Sequence, residues 1–172
     1  MKLRQGELKK TMKGILAGAF LLAAGSAAVL AVGTETEMKA YAAEWQQAEN
    51  GDWTYAEDDG SLAAGWQKIN GVWYYLDPET GVWNEHPALD ETSVCYLVEN
   101  AVNRQGWYDR QITENVTLHY NLQSSNQYKY TVVLQEETQP YVMGTTWNTF
   151  EVDRKNGIAK VVSTDLSLNL YE

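Results

Sequence analysis

One cysteine, Cys95, stands in 172 residues, so neither an internal disulfide nor a four-cysteine zinc site can form. Proline is scarce as well, at three residues beside thirteen glycines, which excludes a collagen-like or proline-rich disordered chain. Positive charge is in deficit. With 13 Lys+Arg against 23 Asp+Glu, the net charge of −10 leaves no electrostatic footprint for a phosphate backbone, so nucleic acid is not an expected partner. There is no Gly-x-Ser-x-Gly, no phosphate-cradling glycine loop and no His-Glu-x-x-His. Without a motif that breaks bonds, the chain reads as a non-enzyme that needs no cofactor. Aromatics are what it has in plenty, with seven Trp and eleven Tyr. That is enough to bury surface, and the length suits one or two small domains.

Residues 1–42 read as an address. Lys2, Arg4, Lys9, Lys10 and Lys13 precede an apolar run from Gly14 to Val32, and a polar stretch then leads to Ala40-Tyr41-Ala42. This order of basic region, apolar core and small-x-small site is that of an export signal cut after Ala42. The apolar run is also about long enough to span a bilayer, but its Ala and Gly content and the downstream site favour cleavage over an uncleaved anchor. Removing the six basic and three acidic side chains of this stretch leaves 7 Lys+Arg against 20 Asp+Glu, a charge of −13. The one cysteine lies far from the cleavage site, so no diacylglycerol anchor is expected.

Five of the seven Trp fall between Trp45 and Trp83 and recur with a period near twenty. Asn50-Gly51 returns as Asn70-Gly71, Trp53 as Trp73 and Tyr55 as Tyr75 after twenty residues, while Trp45 returns as Trp66 and Gly60 as Gly81 after twenty-one. Each unit reads Trp, polar residues, Asn-Gly, an aromatic stretch and an acidic turn closing on Gly. Asn-Gly favours a type I′ turn, so the stretches on either side should pair as a hairpin. A lone two-stranded hairpin cannot hide an aromatic face, whereas hairpins stacked as a short β-solenoid can. Two units are fewer than such arrays normally need, so the rest of the chain or a partner should cover the exposed end.

The stretch Gly65-Trp66-Gln67-Lys68-Ile69-Asn70-Gly71-Val72-Trp73-Tyr74-Tyr75-Leu76-Asp77, closing on Gly81, resembles the choline-binding, or cell-wall-binding, repeats of Gram-positive surface proteins. The same repeats serve as glucan-binding modules in secreted glucosyltransferases and large clostridial toxins. The upstream unit departs from the pattern: Trp45 lacks its Gly, Trp53-Thr54-Tyr55 stands for Trp-Tyr-Tyr, and Trp45 and Trp53 are eight apart where Trp66 and Trp73 are seven. The resemblance implies a ligand caged between consecutive hairpins, by Trp45, Trp53 and Trp73 in one cage and by Trp66 and Trp73 in a second, to which Trp83 would add a wall; Tyr75 belongs to the same ligand-binding set. It implies choline-bearing teichoic acid or another envelope glycan as partner. Quaternary ammonium is held by the negative faces of several rings, with Glu57, Asp58 and Asp59 adding attraction, and sugars stack on the same rings. The alternative is that these aromatics form a hydrophobic seam and bind nothing.

After Trp83 the pattern changes, and a boundary near His86 separates the repeats, 43–86, from a small domain, 87–172. Pro87 to Arg104 reads as a helix, with Pro87 at its first position, Val94, Leu97, Val98 and Ala101 at helical spacing, and Gly106 past its end. Val116, Leu118, Tyr120 and Leu122, then Tyr128, Tyr130, Val132 and Leu134, alternate as a hairpin. A loop through Pro140 leads to a strand carrying Phe150 and Val152, a turn over 153–157, a returning strand from Ile158 to Val162, and an edge strand at Leu166, Leu168 and Leu170. The expected class is α+β: two aromatic hairpin repeats followed by one helix packed on a four- or five-stranded antiparallel sheet. In topology, and in the hairpin Phe150 to Gly157, this part resembles small secreted cystatin-like or PepSY-like domains. That resemblance implies a protein-binding role.

The candidate chemistry outside the repeats is thin. Cys95 with His119 has the residue types of a thiol nucleophile, but its apolar helix neighbours point to an inert packed thiol. His86 and His119 lack metal-ligand spacing, and Asp58-Asp59 and Glu136-Glu137 fall in predicted turns with no facing carboxylate. Asn115-Val116-Thr117 matches a glycosylation acceptor that carries no weight in a bacterial protein. The whole reads as an exported bacterial protein, secreted or bound to the cell wall, that holds envelope choline or polysaccharide through its repeats and another protein through its α+β domain.

Overall fold

The computed structural model describes residues 43–107 and 116–172. The export-signal pattern of residues 1–42 and Asn115 of the glycosylation triplet lie outside them. The described residues form two compact units, one of 43–67 with 75–84 and one of 68–74 with 85–107 and 116–172.

In the first unit, β1 (Glu44–Gln47) pairs antiparallel with β2 (Trp53–Ala56) so that Trp45 stands opposite Tyr55 and Gln47 opposite Trp53. The connection is not the type I′ turn that Asn50-Gly51 predicts. Gly51 N–H donates to the Ala48 carbonyl at 2.9 Å and Ala48 N–H to the Asp52 carbonyl at 2.9 Å, and only Gly51 of the pair has positive φ, at 92°. A three-residue loop of this kind, a tight turn followed by glycine in the left-handed position, holds one residue more than the two-residue turn. Asn50 is held in it by its own side chain, whose Oδ1 accepts the Asp52 N–H at 3.1 Å. The next hairpin, β3 (Gly65–Ile69) and β4 (Val72–Leu76), does use the two-residue turn, with Asn70 at φ 52° and Gly71 at 83°. This difference in loop accounts for the eight-residue spacing in the first repeat and seven in the second. A short strand absent from the expected pattern, β5 (Trp83–Asn84), pairs with β4 through Tyr75 opposite Asn84 and Leu76 opposite Trp83. Isolated bridges join Thr54 to Val82 and Ala56 to Leu62, and Ala56, Ala63 and Leu76 are the buried apolar side chains of this unit.

The second unit contains helix α1 (Val94–Gln105) and a five-stranded antiparallel sheet in the order β10-β9-β8-β7-β6, formed by β6 (Thr117–Ser125), β7 (Lys129–Gln139), β8 (Val142–Asp153), β9 (Ile158–Val161) and β10 (Ser167–Asn169). One helix with antiparallel sheets is the α+β class that the sequence predicts. Helix α1 packs on β6, β7 and β10 with Val94, Leu97, Val98, Ala101 and Val102 buried. Tyr130, Val132, Leu134, Phe150 and Val152 are fully buried on the sheet, each contributing on the order of 2 kcal/mol of apolar burial.

Two local expectations are corrected. The helix begins at Val94, not Pro87. The Asp90 carboxylate accepts the N–H groups of Thr92 at 2.9 Å and Ser93 at 2.8 Å, and the Asp90 carbonyl accepts the Val94 N–H at 3.0 Å, so the capping chemistry sits at Asp90. Pro87 is buried, and its carbonyl receives the Tyr171 hydroxyl at 2.9 Å. Second, there is no long loop through Pro140: β7 and β8 continue to a two-residue connection, Pro140-Tyr141. The ladder between β7 and β8 slips between Leu134 opposite Asn148 and Gln135 opposite Thr146, leaving Trp147 as the extra residue of a bulge. At the helix end, Gly106 takes the left-handed conformation, φ 63°, as its position implies.

Candidate functional site

The first unit assembles its rings in two groups. Trp45 meets Tyr55 edge to face, with centroids 5.3 Å apart and an interplanar angle of 67°, and meets Trp83 in the same manner at 6.2 Å and 67°. Trp66 lies 5.4 Å from Tyr75. Trp45 with Tyr55 and Trp66 with Tyr75 are the same pair in successive repeats. Edge-to-face pairs of this kind contribute about 0.5–1.5 kcal/mol beyond burial. All of these side chains, and Trp53, are half-buried, so each ring keeps some surface in water.

The electrostatics of this unit are one-sided. Residues 43–67 and 75–84 carry Glu44, Glu49, Asp52, Glu57, Asp58, Asp59, Asp77 and Glu79, with no Lys, Arg or His among them. Two of these acids are fixed in the turns that close the repeats. The Asp77 carboxylate accepts N–H groups from Glu79 and Thr80 and the Thr80 hydroxyl, and the hydrogen bonds to Thr80 hold its pKa below the ordinary aspartate value. Asp59 is lowered in the same way by its hydrogen bonds with Ser61. Both stay ionised at neutral pH. A negative field beside half-buried rings favours cations over anions.

Trp73 is placed differently. It belongs to the 68–74 segment of the second unit, where its ring lies 4.3 Å from that of Tyr96 and its indole Nε1–H donates to Glu99 Oε2 at 2.8 Å. Its backbone is gripped as well: the Trp73 N–H donates to Asn100 Oδ1 at 2.9 Å, and Asn100 Nδ2 donates to the Trp73 carbonyl at 2.7 Å. Lys68 completes the arrangement, with Nζ 2.6 Å from Glu99 Oε1 and 5.4 Å from the centroid of the Trp73 ring. Of the five residues expected to bind ligand, Trp45, Trp53, Trp66 and Tyr75 therefore lie in the first unit, and Trp73 lies in the second, against helix α1. Tyr55 and Trp83 share the corner with Trp45. Tyr55 lay in plain view in the repeat, because the register of a hairpin puts it opposite Trp45.

The other candidate groups carry no assembled chemistry. Burial, and then the charge of Glu99, push the Cys95 thiol up to about 11, which keeps it protonated at neutral pH. His119 Nε2 lies 2.7 Å from Glu137 Oε2. The His86 ring meets the Tyr171 ring at 5.6 Å. Among the described residues, no group of three His, Cys, Asp or Glu side chains could hold a metal ion, and no helix is long and apolar enough to cross a membrane.

Residues 64–79 match a family model described as a cell wall binding repeat, of the choline-binding kind. They comprise β3, the Asn70-Gly71 turn, β4 and the start of the Asp77 turn. This segment is thus a repeat of that family. No curated protein and no solved structure matches the chain, and the expected likeness of residues 87–172 to cystatin-like or PepSY-like domains gains no support from these comparisons.

Proposed function

We propose that the chain is an exported bacterial protein that attaches to the cell envelope through the aromatic surface of its first unit, and that the group recognised is the trimethylammonium of choline on teichoic acid or a similar glycan. The family match at residues 64–79 supports attachment to the cell wall. The choice of a cation is carried by one observation: the rings of Trp45, Tyr55 and Trp83 stand in a unit with eight carboxylates and no basic side chain. A neutral polysaccharide stacking on the same rings gains nothing from that charge. The role has no bond-breaking step, and the second unit contacts another protein.

Choline chloride should quench the Trp fluorescence of the whole chain saturably, potassium chloride at equal ionic strength should not, and Trp45→Ala should abolish the choline response. Quenching by soluble glucan alone would replace choline with a neutral glycan; no response to either would end the proposal. The second reading, that the repeats only pack and bind nothing, has the placement of Trp73 on α1 in its favour. Under that reading Trp45→Ala lowers stability without altering retention on cell walls.

A further inference from the structure

The β7-β8 ribbon outgrows its sheet. Among the described residues, β9 pairs with β8 only from Phe150 to Val152 and β6 pairs with β7 no farther than Thr117 opposite Glu137, so residues 138–148 form an arm beyond the β9 ladder. The arm is bulged three times along its length, which twists it away from a flat edge. Its tip is Pro140-Tyr141-Val142-Met143, and Tyr141 is 95% exposed. Tyr141 also has φ 67°, the left-handed region where a turn with proline before it normally has glycine. An aromatic ring held wholly in water on a strained backbone does nothing for folding, and such outliers point toward function.

The Val162 N–H donates to the Thr149 carbonyl at 2.9 Å, so the β9-β10 turn, with exposed Val162 and Leu166, leaves the sheet at the end from which the arm extends. Three of the seven large apolar side chains that are exposed among the described residues, Tyr141, Val142 and Met143, are consecutive at the tip, and Val162 and Leu166 are at the arm's base. Among the described residues, the charges at this end are mainly acidic. Glu136 accepts the Trp147 indole N–H at 3.3 Å, Glu137 holds both His119 and the Tyr141 N–H, at 2.7 and 2.8 Å, and Asp165 lies in the turn. Lys160 is on β9, and no Lys or Arg occurs between Tyr130 and Asp153.

We infer that the 140–143 tip docks on a second protein through an apolar socket bordered by Lys or Arg. An apolar tip with carboxylates at its neck is complementary to that surface. The same carboxylates repel an anionic bilayer and a second copy of this acidic chain. The inference rests on the reading that the second unit contacts a protein.

The test places a photo-crosslinking phenylalanine analogue at Tyr141 in the full chain made by its own cells, and at Tyr128, which is exposed at the opposite end of the sheet. Expected is a protein adduct from position 141 whose crosslinked peptide, identified by mass spectrometry, borders Lys or Arg. The purified adduct partner should bind the full chain in a salt-sensitive manner, and Tyr141→Ser together with Val142→Ser should weaken it by about tenfold or more. Circular dichroism of the double variant checks that it folds. Protein adducts from position 128 alone would overturn the inference and leave the reading of a protein contact in place. Lipid adducts, adducts to the chain itself, or no adduct from either position would overturn both.

Discussion

Asn100 on helix α1 offers the sharpest perturbation of the second unit. Its side chain is a buried amide that satisfies both the N–H and the carbonyl of Trp73, doing for that residue what a neighbouring strand would do. Asn100→Ala removes both partners and leaves two backbone groups short of hydrogen bonds. Each bond is worth about 1 kcal/mol net, and an orphaned half-buried group costs about 1–3 kcal/mol. Alanine recovers about 0.5 kcal/mol through better helix propensity, which is too little to offset the loss. The variant should therefore be less stable by about 2–4 kcal/mol, read as a urea midpoint shift or as a melting point lower by about 10 °C or more. Asn103→Ala is the control, because Asn103 is exposed on the same helix and its substitution should be neutral or slightly stabilising. Should Asn100→Ala fall within about 0.5 kcal/mol of that control, the grip on Trp73 contributes nothing and the account of the hairpin tip fails.

Further outcomes follow from single groups. Tyr141→Gly should raise stability by about 1 kcal/mol, since relief of a left-handed tyrosine outweighs the extra freedom glycine has when unfolded; a lower urea midpoint would show that Tyr141 is not strained. Alkylation of Cys95 by iodoacetamide should rise about tenfold per pH unit from pH 7 to 10, in keeping with a thiol near 11. A plateau near the ordinary thiol value would mean the residue is not screened by burial and Glu99. Glu137 is held below the usual glutamate value of 4.5 first by the Tyr141 N–H and then by His119. Because the folded state binds that proton less readily than the unfolded chain, its stabilisation is present above pH 4.5 and is lost as the pH falls through the lower folded value. Carbon NMR of the Glu137 carboxyl should give a midpoint below 4.5, and His119→Ala should move it upward; a midpoint at or above 4.5 in the native chain would remove this anchor of the arm.

Much of this fold is legible in residue order because its signals are local. The twenty-residue aromatic period, the two-residue turn at Asn70-Gly71 and the alternation through Tyr130, Val132 and Leu134 each depend on neighbours a few positions away. Where the reading stopped short, a distant or side-chain interaction decided. The eight-residue spacing of Trp45 and Trp53 signals a longer loop, but Asn-Gly masks it until the hydrogen bonds to Ala48 are seen. Asp90 captures the backbone before Pro87 can start a helix, and the bulge at Trp147 lets β7 and β8 run on to Pro140-Tyr141 where turn residues suggest a loop. The placement of Trp73 was out of reach altogether, since its partners Tyr96, Glu99 and Asn100 lie over twenty residues downstream and nothing in the repeat announces them. The cluster of Trp45, Tyr55 and Trp83 was half legible: the hairpin supplies the first two, and tertiary folding brings the third.

Sedimentation with purified, choline-bearing cell walls puts the central claim to the most direct test. The full chain should pellet with the walls and be released by free choline, while the Trp45→Ala and Trp83→Ala double variant, folded by circular dichroism, should stay in the supernatant. Equal pelleting of both proteins, unaffected by choline, would contradict the account.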